Sequence, residues 1–464
     1  MKTFLAWLLL TGVALGAEKL NIVLILADDL GWSDLSCTGS AFYETPAIDR
    51  LAKQGMKFTQ AYAGANVCSP SRAAIMTGKY PARLHTTNFF GGNRRGKLLP
   101  PEYLQSLPAE EITIAKALQE QGYRTGHFGK WHLGNKGSQP QDFGFEVVVG
   151  LEMGPGRGPA DDPHFSRQLS EAVVKFMAET KDKPFFVYLP LHSVHVPLKT
   201  RPELLAKYEA KAAKLPAKEP REVPVNDHKA RAVQDHPVYA GMVQEMDEAV
   251  ARVLKALDDL KLTGNTLVLF TSDNGGLSTA EGSPTCNLPL RAGKGWNYEG
   301  GIRVPLIVRL PGRVPSGALC DVPVIHCDFY PTLLAMAGLT VPAEQKVDGV
   351  NFAPLLEQKG GIADRPLFWH YPHYSNQGGR PCGAVRAGNY KLLEFFEDNH
   401  IEEYDLADDP GEQQNHPHMP EVLLPLLRDW RQSVGAQMPT PNPNPVEPFG
   451  PQGKTEKAKN KNKK

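Results

Sequence analysis

The chain has 464 residues, 41% of them hydrophobic and 22% charged, and its 51 basic side chains balance 51 acidic ones to a formal net charge of +0. That length accommodates one large domain and a smaller one, and the apolar fraction is that of an ordinary globular core. Charge neutrality removes the electrostatic reason to expect a nucleic-acid partner.

Residues 1–16 read as a secretory signal peptide. Lys2 supplies the charged start, 4–15 the apolar run, and Ala14 and Gly16 the small residues before a cut at Ala17. The run is short for a membrane span, and no other segment reads as one. No cysteine follows the cut, so lipid anchoring is not expected. The protein is expected to be exported, to a periplasm or outside the cell.

Residues 21–27 form a continuous apolar run, the pattern of a strand buried on both faces. Thr45 and Pro46 start a helix that ends near Gly55. Ser69 is expected to cap a helix with Pro70 in its first turn, running to Gly78. A helix over 113–121 stops at Gly122, and a strand follows over 123–128. Residues 170–180 read as helix and 184–191 as strand. A polar Lys/Ala/Pro-rich insertion, 199–237, then intervenes, and is expected to hold a short helix and overhang the site. Residues 239–261 make a long amphipathic helix with Met242, Met246, Val250, Val253, Leu257 and Leu260 on one face. Gly264 and Asn265 end it, and 266–272 is another buried strand.

This alternation predicts an α/β domain over 17–364, with a large, mostly parallel (mixed) sheet flanked by helices and its chemistry at the carboxyl ends of the strands. Beyond residue 365 the pattern changes to short strands at 366–371, 383–386, 390–396 and 402–406, then a helix at 422–433. A smaller C-terminal antiparallel α+β subdomain, 365–438, is expected. Residues 439–464, rich in Pro, Asn and Lys, are expected to be disordered. Of six cysteines, none forms a Cys-x-x-Cys zinc pattern, and export permits disulfides without demanding them.

Several polar groups punctuate the ends of these apolar strands. Cys68-Ser69-Pro70-Ser71-Arg72 places residue 68 at a helix N-terminus, where backbone N–H groups attract an anion. Arg72 adds a fixed positive fork for a tetrahedral oxyanion. Asp28-Asp29 and Asp273-Asn274 each end a strand. Adjacent carboxylates repel unless a cation lies between them, and this oxygen donor set suits Ca²⁺ or Mg²⁺ rather than zinc. Gly129-Lys130-Trp131-His132 follows another strand, with Lys130 and His132 alternating toward one side. His192-Ser193-Val194-His195 follows a fourth, His195 being the stronger site candidate and His192 either a core or a supporting residue. Lys294 lies in a Gly-rich loop, 291–301, that leads into a strand.

These blocks, with Gly78-Lys79-Tyr80-Pro81, Glu299-Gly300-Gly301, the 328–334 run and Tyr404-Asp405-Leu406, resemble the type I, formylglycine-dependent sulfatases of the alkaline-phosphatase-like superfamily, in family order over about residues 20–415. The resemblance implies that a maturation enzyme oxidises Cys68 to formylglycine. It implies a metal held by Asp28, Asp29, Asp273, Asn274 and residue 68, Ca²⁺ or alternatively Mg²⁺. It further implies that Arg72, Lys130, His132, His195 and Lys294 surround a sulfate ester. One hydrate oxygen at residue 68 would attack sulfur, Asp273 taking its proton and His195 or Lys294 protonating the departing alcohol. His132 would then deprotonate the second hydroxyl of the covalent sulfo-enzyme to expel sulfate. The expected substrate is a sulfated small molecule or glycan. Segments 88–95, 153–164, 199–237 and 371–380 are expected to set specificity. The alternatives are a formylglycine-dependent phosphonate or phosphate ester hydrolase and a non-catalytic glycan-binding protein.

Overall fold

A computed structural model describes residues 19–135, 137–416 and 421–450. The expected signal peptide, 1–16, lies outside them. Among the described residues, no helix is long and apolar enough to cross a membrane.

The first apolar run is the strand Asn21–Ala27, buried along its whole length. Its side chains alternate between two cores, Ile22, Leu24 and Leu26 facing one and Val23, Ile25 and Ala27 the other. That two-sided burial is why the sequence shows no polar alternation. The strand pairs in parallel with Phe185–Pro190 on one side and Thr266–Ser272 on the other. Phe185–Pro190 continues in parallel to Arg124–Phe128, and that strand to Val147–Val149. Beyond Thr266–Ser272 lies Arg303–Arg309, antiparallel to both neighbours, and then Met56–Tyr62. Short strands Ala318–Cys320 and Val324–Ile325 close that edge. The sheet is therefore mixed and mostly parallel. The carboxyl ends of Asn21–Ala27, Met56–Tyr62, Arg124–Phe128, Phe185–Pro190 and Thr266–Ser272 share one edge, and the start of Arg303–Arg309 joins them.

Met56–Tyr62 escaped the sequence pattern because Lys57, Thr59 and Gln60 keep partial exposure near the sheet margin. One face of the sheet carries the helices Cys68–Thr77, Ile114–Glu120 and Phe329–Met336. The other carries Pro46–Gln54, Ser166–Thr180 and the long helix Pro237–Asp259. On the long helix Met242, Met246, Val250, Val253 and Leu257 are fully buried. Each contributes roughly 1.5–3 kcal/mol by leaving water. The 199–237 insertion holds the helix Pro202–Ala212, which lies along the long helix and buries Leu204 and Tyr208. It also holds a hairpin, Glu222–Val225 with His228–Arg231, whose Val225 and Ala230 pack with Trp296 and Tyr298.

The C-terminal region is a four-stranded antiparallel sheet of Leu367–Tyr371, Cys382–Ala387, Tyr390–Phe395 and Ile401–Asp405. The helix Leu423–Ser433 covers it through Leu423 and Leu427, and Trp430 stacks on Phe368 at 4.6 Å. A buried ion cluster joins this sheet to the large domain. Lys391 Nζ lies 2.9 Å from Glu299 Oε1 and 2.8 Å from Glu412 Oε1, all three residues being fully buried. Tyr62 donates to Glu299 Oε2 at 2.7 Å. Removing the lysine leaves two carboxylates buried without their cation. Lys391→Met is expected to cost about 3–5 kcal/mol of stability, read from the shift in a denaturant unfolding curve.

Disorder was expected from residue 439, but the described part of that segment, 439–450, is packed. Thr440–Pro441 pairs with Leu98–Leu99. Asn442 donates its backbone N–H to the Lys97 carbonyl and its side chain to the Gly96 carbonyl. Phe449 sits between the Arg94 and Arg380 guanidinium groups, 5.8 and 5.6 Å away. Composition read this stretch as unable to bury apolar surface, whereas backbone pairing and one aromatic anchor it. The rest of the expected tail, 451–464, lies outside the described residues. None of the six cysteines forms a disulfide.

Candidate active site

Four strand ends deliver the site. Asp28 and Asp29 follow Asn21–Ala27, Asp273 and Asn274 follow Thr266–Ser272, Lys130 and His132 follow Arg124–Phe128, and His195 follows Phe185–Pro190. Gly129 lets the third of these turn against its neighbour. Its φ is +131°, and a Cβ there would stand 2.1 Å from the Pro190 carbonyl oxygen. The Lys130 N–H instead donates to that carbonyl at 2.9 Å. Asp29 and His132 adopt left-handed backbone conformations, φ +66° and +54°. These cost on the order of 1–2 kcal/mol each and aim the side chains inward. The Asp29 N–H donates to Asp273 Oδ1 at 3.2 Å, which ties the two carboxylate loops together.

Cys68 opens the helix Cys68–Thr77 and is buried. The expected cap differs in detail. Val67 is the residue before the helix, and no side chain caps it. Ser69 lies inside the first turn, where its hydroxyl accepts the Phe90 N–H at 3.2 Å. Residue 68 still stands at the helix N-terminus, among N–H groups without helical partners. The helix is braced from behind by His326, whose Nδ1 lies 2.9 Å from Ser71 Oγ. The sequence offered no signal for His326, a lone histidine in an unremarked loop.

Around residue 68 three cations face three carboxylates. Lys130 Nζ lies 2.7 Å from Asp28 Oδ2, and Lys294 Nζ 2.7 Å from Asp29 Oδ2. Arg72 donates Nε at 2.9 Å to Asp273 Oδ2, with Nη2 2.7 Å from the same oxygen and 3.5 Å from Asp28 Oδ1. Its Nη1 donates to the Lys130 carbonyl at 2.8 Å. Asn274 donates to Asp29 Oδ1 at 2.9 Å. Ligand atoms of Asp28, Asp29, Cys68 and His195 all lie within 4.8 Å of one another. Thus Asp28, Asp29, Cys68, Arg72, Lys130, His195, Asp273, Asn274 and Lys294 converge. His132 stands beside them on the wall of an adjoining cavity, together with Lys130 and His192. The tightest group includes His195, whereas Asp273 is engaged by Arg72.

Burial alone would raise the Asp28 carboxyl, but Lys130, His195, Arg72 and Lys294 together hold it well below the usual range. Asp273 moves the other way, raised by burial and then by the Asp28 charge. Burial opposes charge on Lys294, yet Asp29 beside it holds the ammonium well above its ordinary value. His132 is pushed well down by burial and then by Lys130, and His195 down by burial and then by Lys294. Burial raises the Cys68 thiol to about 11 against the pull of Lys130 and Lys294. The unmodified cysteine is therefore a poor thiolate nucleophile.

Asp28 Oδ1 and Asn274 Oδ1 are buried without hydrogen-bond partners. These two oxygens, Asp28 Oδ1 holding only the 3.5 Å ion pair to Arg72, join those of Asp29 and Asp273 as the donor set of a hard divalent cation. The site therefore fits a metal, and Asp28, Asp29, Cys68 and His195 are the residues whose ligand atoms stand close enough together to hold one.

A mostly parallel α/β sheet, an oxygen-rich cation cradle and a helix-borne residue ringed by lysines define a hydrolase of the alkaline-phosphatase-like superfamily. The sulfatase family model matches residues 20–339, and a model of the N-sulphoglucosamine sulphohydrolase C-terminal region matches residues 292–426. The chain belongs to the sulfatase family and is a sulfuric ester hydrolase. It is 32% identical to a sulfatase of Formosa agariphila, over 86% of this chain and 84% of that one. It is 30% identical to the N-acetylgalactosamine-6-sulfatase of Canis lupus familiaris, over 93% of this chain and 84% of that protein. The crystal structure of Ps i-CgsB, also solved with k-i-k-neocarrahexaose, superposes with a TM-score of 0.73 at 29% identity, covering 90% of this chain and 93% of that one.

Proposed function

We propose that this sulfatase is exported and removes sulfate from a carbohydrate, with residue 68 acting as formylglycine after conversion by a maturation enzyme. The observation that carries the reading is the position of residue 68, at a helix N-terminus and in one cluster with Asp28, Asp29 and His195. The carbohydrate substrates named for the relatives support the substrate class.

As formylglycine, residue 68 would supply a hydrated aldehyde, one hydroxyl to take the sulfuryl group and a second to release it. A Ca²⁺ ion, or Mg²⁺, held by Asp28, Asp29, Asp273, Asn274 and residue 68 would polarise the sulfate oxygens. The protein's own groups do the rest. The three cations balance the three carboxylates, so a divalent ion leaves the pocket net positive and attractive to an anionic ester. Lys130, Lys294 and the helix N-terminus offset charge on the sulfuryl oxygens as it transfers. Arg72 fixes Asp273 through Nε and Nη2 at 2.9 and 2.7 Å, so that its carboxylate is placed to accept the proton released by the attacking hydroxyl. His132, held neutral, accepts the proton of the second hydroxyl when sulfate departs. The His195 Nδ1–H donates to the Val196 carbonyl at 2.6 Å, which leaves Nε2 as the ring atom facing the alcohol. It can give up a proton only from the doubly protonated ring, whereas the Lys294 ammonium, held charged beside Asp29, carries a proton toward the departing oxygen throughout.

His195→Ala and Lys294→Ala are expected to slow sugar sulfates by about 10²–10³-fold and activated aryl sulfates far less, because a good leaving group needs little protonation. Single-turnover rates on matched aryl and sugar sulfates check this, and equal losses on both substrates assign the two residues to sulfate binding instead. The reading as a whole is tested by comparing sulfate, phosphonate and phosphate esters of one aryl alcohol. The sulfate is expected to have the highest kcat/KM, and a preferred phosphonate would reverse the assignment.

A further inference from the structure

The helix that carries residue 68 starts without a cap. Val67 precedes it and makes no side-chain capping bond, and no acidic side chain stands in its first turn. A first turn left this way is loosely held, because its N–H groups have no partners within the helix. Residue 68 opens that turn, so any looseness there displaces the reacting atom itself. Two hydroxyls hold the turn instead. Ser69 accepts the Phe90 N–H. Ser71 is fully buried, and its Oγ lies 2.9 Å from Nδ1 of His326, which is 1% exposed.

His326 is itself firmly seated. It follows Val324–Ile325, which pairs with Met56–Tyr62 at the margin of the main sheet. Gly64, two residues beyond Met56–Tyr62, makes room for the contact. A Cβ on it would stand 2.6 Å from the Ala74 Cβ and 3.7 Å from the His326 Cβ. Asp328, two residues on from His326, is fully buried and accepts the Ile325 and Val350 N–H groups at 2.9 and 2.8 Å. The His326 ring packs on Phe329, with centroids 5.2 Å apart. Burial holds the ring neutral, pushing it down to about 3, although the Ser272 and Ser71 backbones both favour its charged form. Ser272 immediately precedes Asp273. The ring therefore stands between the first turn of the helix and the strand end that carries Asp273 and Asn274. Its Nε2 makes no hydrogen bond, so the Ser71 bond is its one directional contact.

Arg72 clamps the same two segments from the catalytic side, but it does so through charge. Its hold on Asp273 is shared with any cation that Asp273 also binds. The His326–Ser71 bond joins neutral groups and is indifferent to charge arriving at the site. Resting on the formylglycine reading above, we propose that His326 is a positioning residue for the reaction. Through Ser71 it fixes the first turn of Cys68–Thr77, and so holds the nucleophile at residue 68 in line with the sulfur and within reach of Asp273. It acts through Ser71 rather than on the substrate.

The experiment compares His326→Leu, His326→Asn, Ser71→Ala and the double variant of His326→Leu with Ser71→Ala, using an aryl sulfate. Rates are expressed per formylglycine, counted by mass spectrometry of the peptide that holds residue 68, because Ser71 lies in the same block. His326→Leu is expected to lower kcat by about 10–100-fold with KM within about threefold of the parent, since a displaced nucleophile loses alignment and not sulfate affinity. His326→Asn puts an amide where Nδ1 stood, able to donate or accept, and is expected to bring kcat back to within about fivefold of the parent. Ser71→Ala is expected to lose as much as His326→Leu, and the double variant no more than either. Unchanged metal content separates this loss from the loss of a ligand. A folded His326→Leu with kcat within about threefold of the parent overturns the positioning role. So does an Asn variant no better than the Leu variant, or losses that multiply in the double variant. Where His326→Leu does not fold, Ser71→Ala removes the same bond by deleting one oxygen, and an unchanged kcat there overturns the role by itself. Parent activity without formylglycine at residue 68 overturns the formylglycine reading instead and leaves the comparison of the variants standing.

Discussion

Cys68→Ser protein is expected to release one equivalent of alcohol from an aryl sulfate and then stop. A serine places a hydroxyl where the helix N-terminus meets the cluster of Asp28, Asp29 and His195. That hydroxyl can take the sulfuryl group, because the cations that stabilise the transfer are unchanged. It has no second hydroxyl whose deprotonation by His132 would expel sulfate. Residue 68 is 3% exposed, so water has little access to the trapped ester. Active-site titration with an aryl sulfate reads the stoichiometry, and intact mass reads the retained sulfuryl group. Continuous turnover by Cys68→Ser protein would remove the reason for a two-hydroxyl residue at this position.

Asp28→Asn is expected to lower kcat by at least about a thousandfold, equivalent to several kcal/mol of lost transition-state stabilisation. The change keeps the size of the side chain and removes its charge. Lys130 loses its 2.7 Å partner and Arg72 its 3.5 Å one. A divalent ion loses an anionic ligand, so metal content by elemental analysis is expected to fall together with activity. Retained stoichiometric metal with kcat within about tenfold of the parent would reject Asp28 as a ligand.

The parts of this site that could be read in advance were those where covalent order and strand direction do the positioning. Asp28-Asp29, Asp273-Asn274 and Lys130-x-His132 each end an apolar strand, and parallel pairing brings such ends to one edge whatever the loops do. Cys68 was legible because Pro70 and the following residues announce a helix start. What could not be read depends on contacts between segments far apart in the chain. His326 braces the catalytic helix from 255 residues away through Ser71. The Lys391 cluster joins groups from positions 299 and 412. Phe90 and Met153 meet at one cavity from loops that the sequence marked only as variable. The insertion at 199–237 holds the short helix expected of it, and what the sequence did not show is that this helix lies along Pro237–Asp259, where Leu204 and Tyr208 give it an apolar stripe. The tail was misjudged from residue 439 because composition carries no information about backbone pairing with Leu98–Leu99.

The central claim is that residue 68 works only as formylglycine. Preparations of graded maturation can be made by varying supply of the converting enzyme, and the fraction converted read by mass spectrometry of the tryptic peptide 58–72. Sulfate release from a single aryl sulfate is then plotted against that fraction. The account predicts a straight line through the origin, each converted molecule contributing the same rate. Full activity in protein that carries unmodified Cys68 throughout would contradict it.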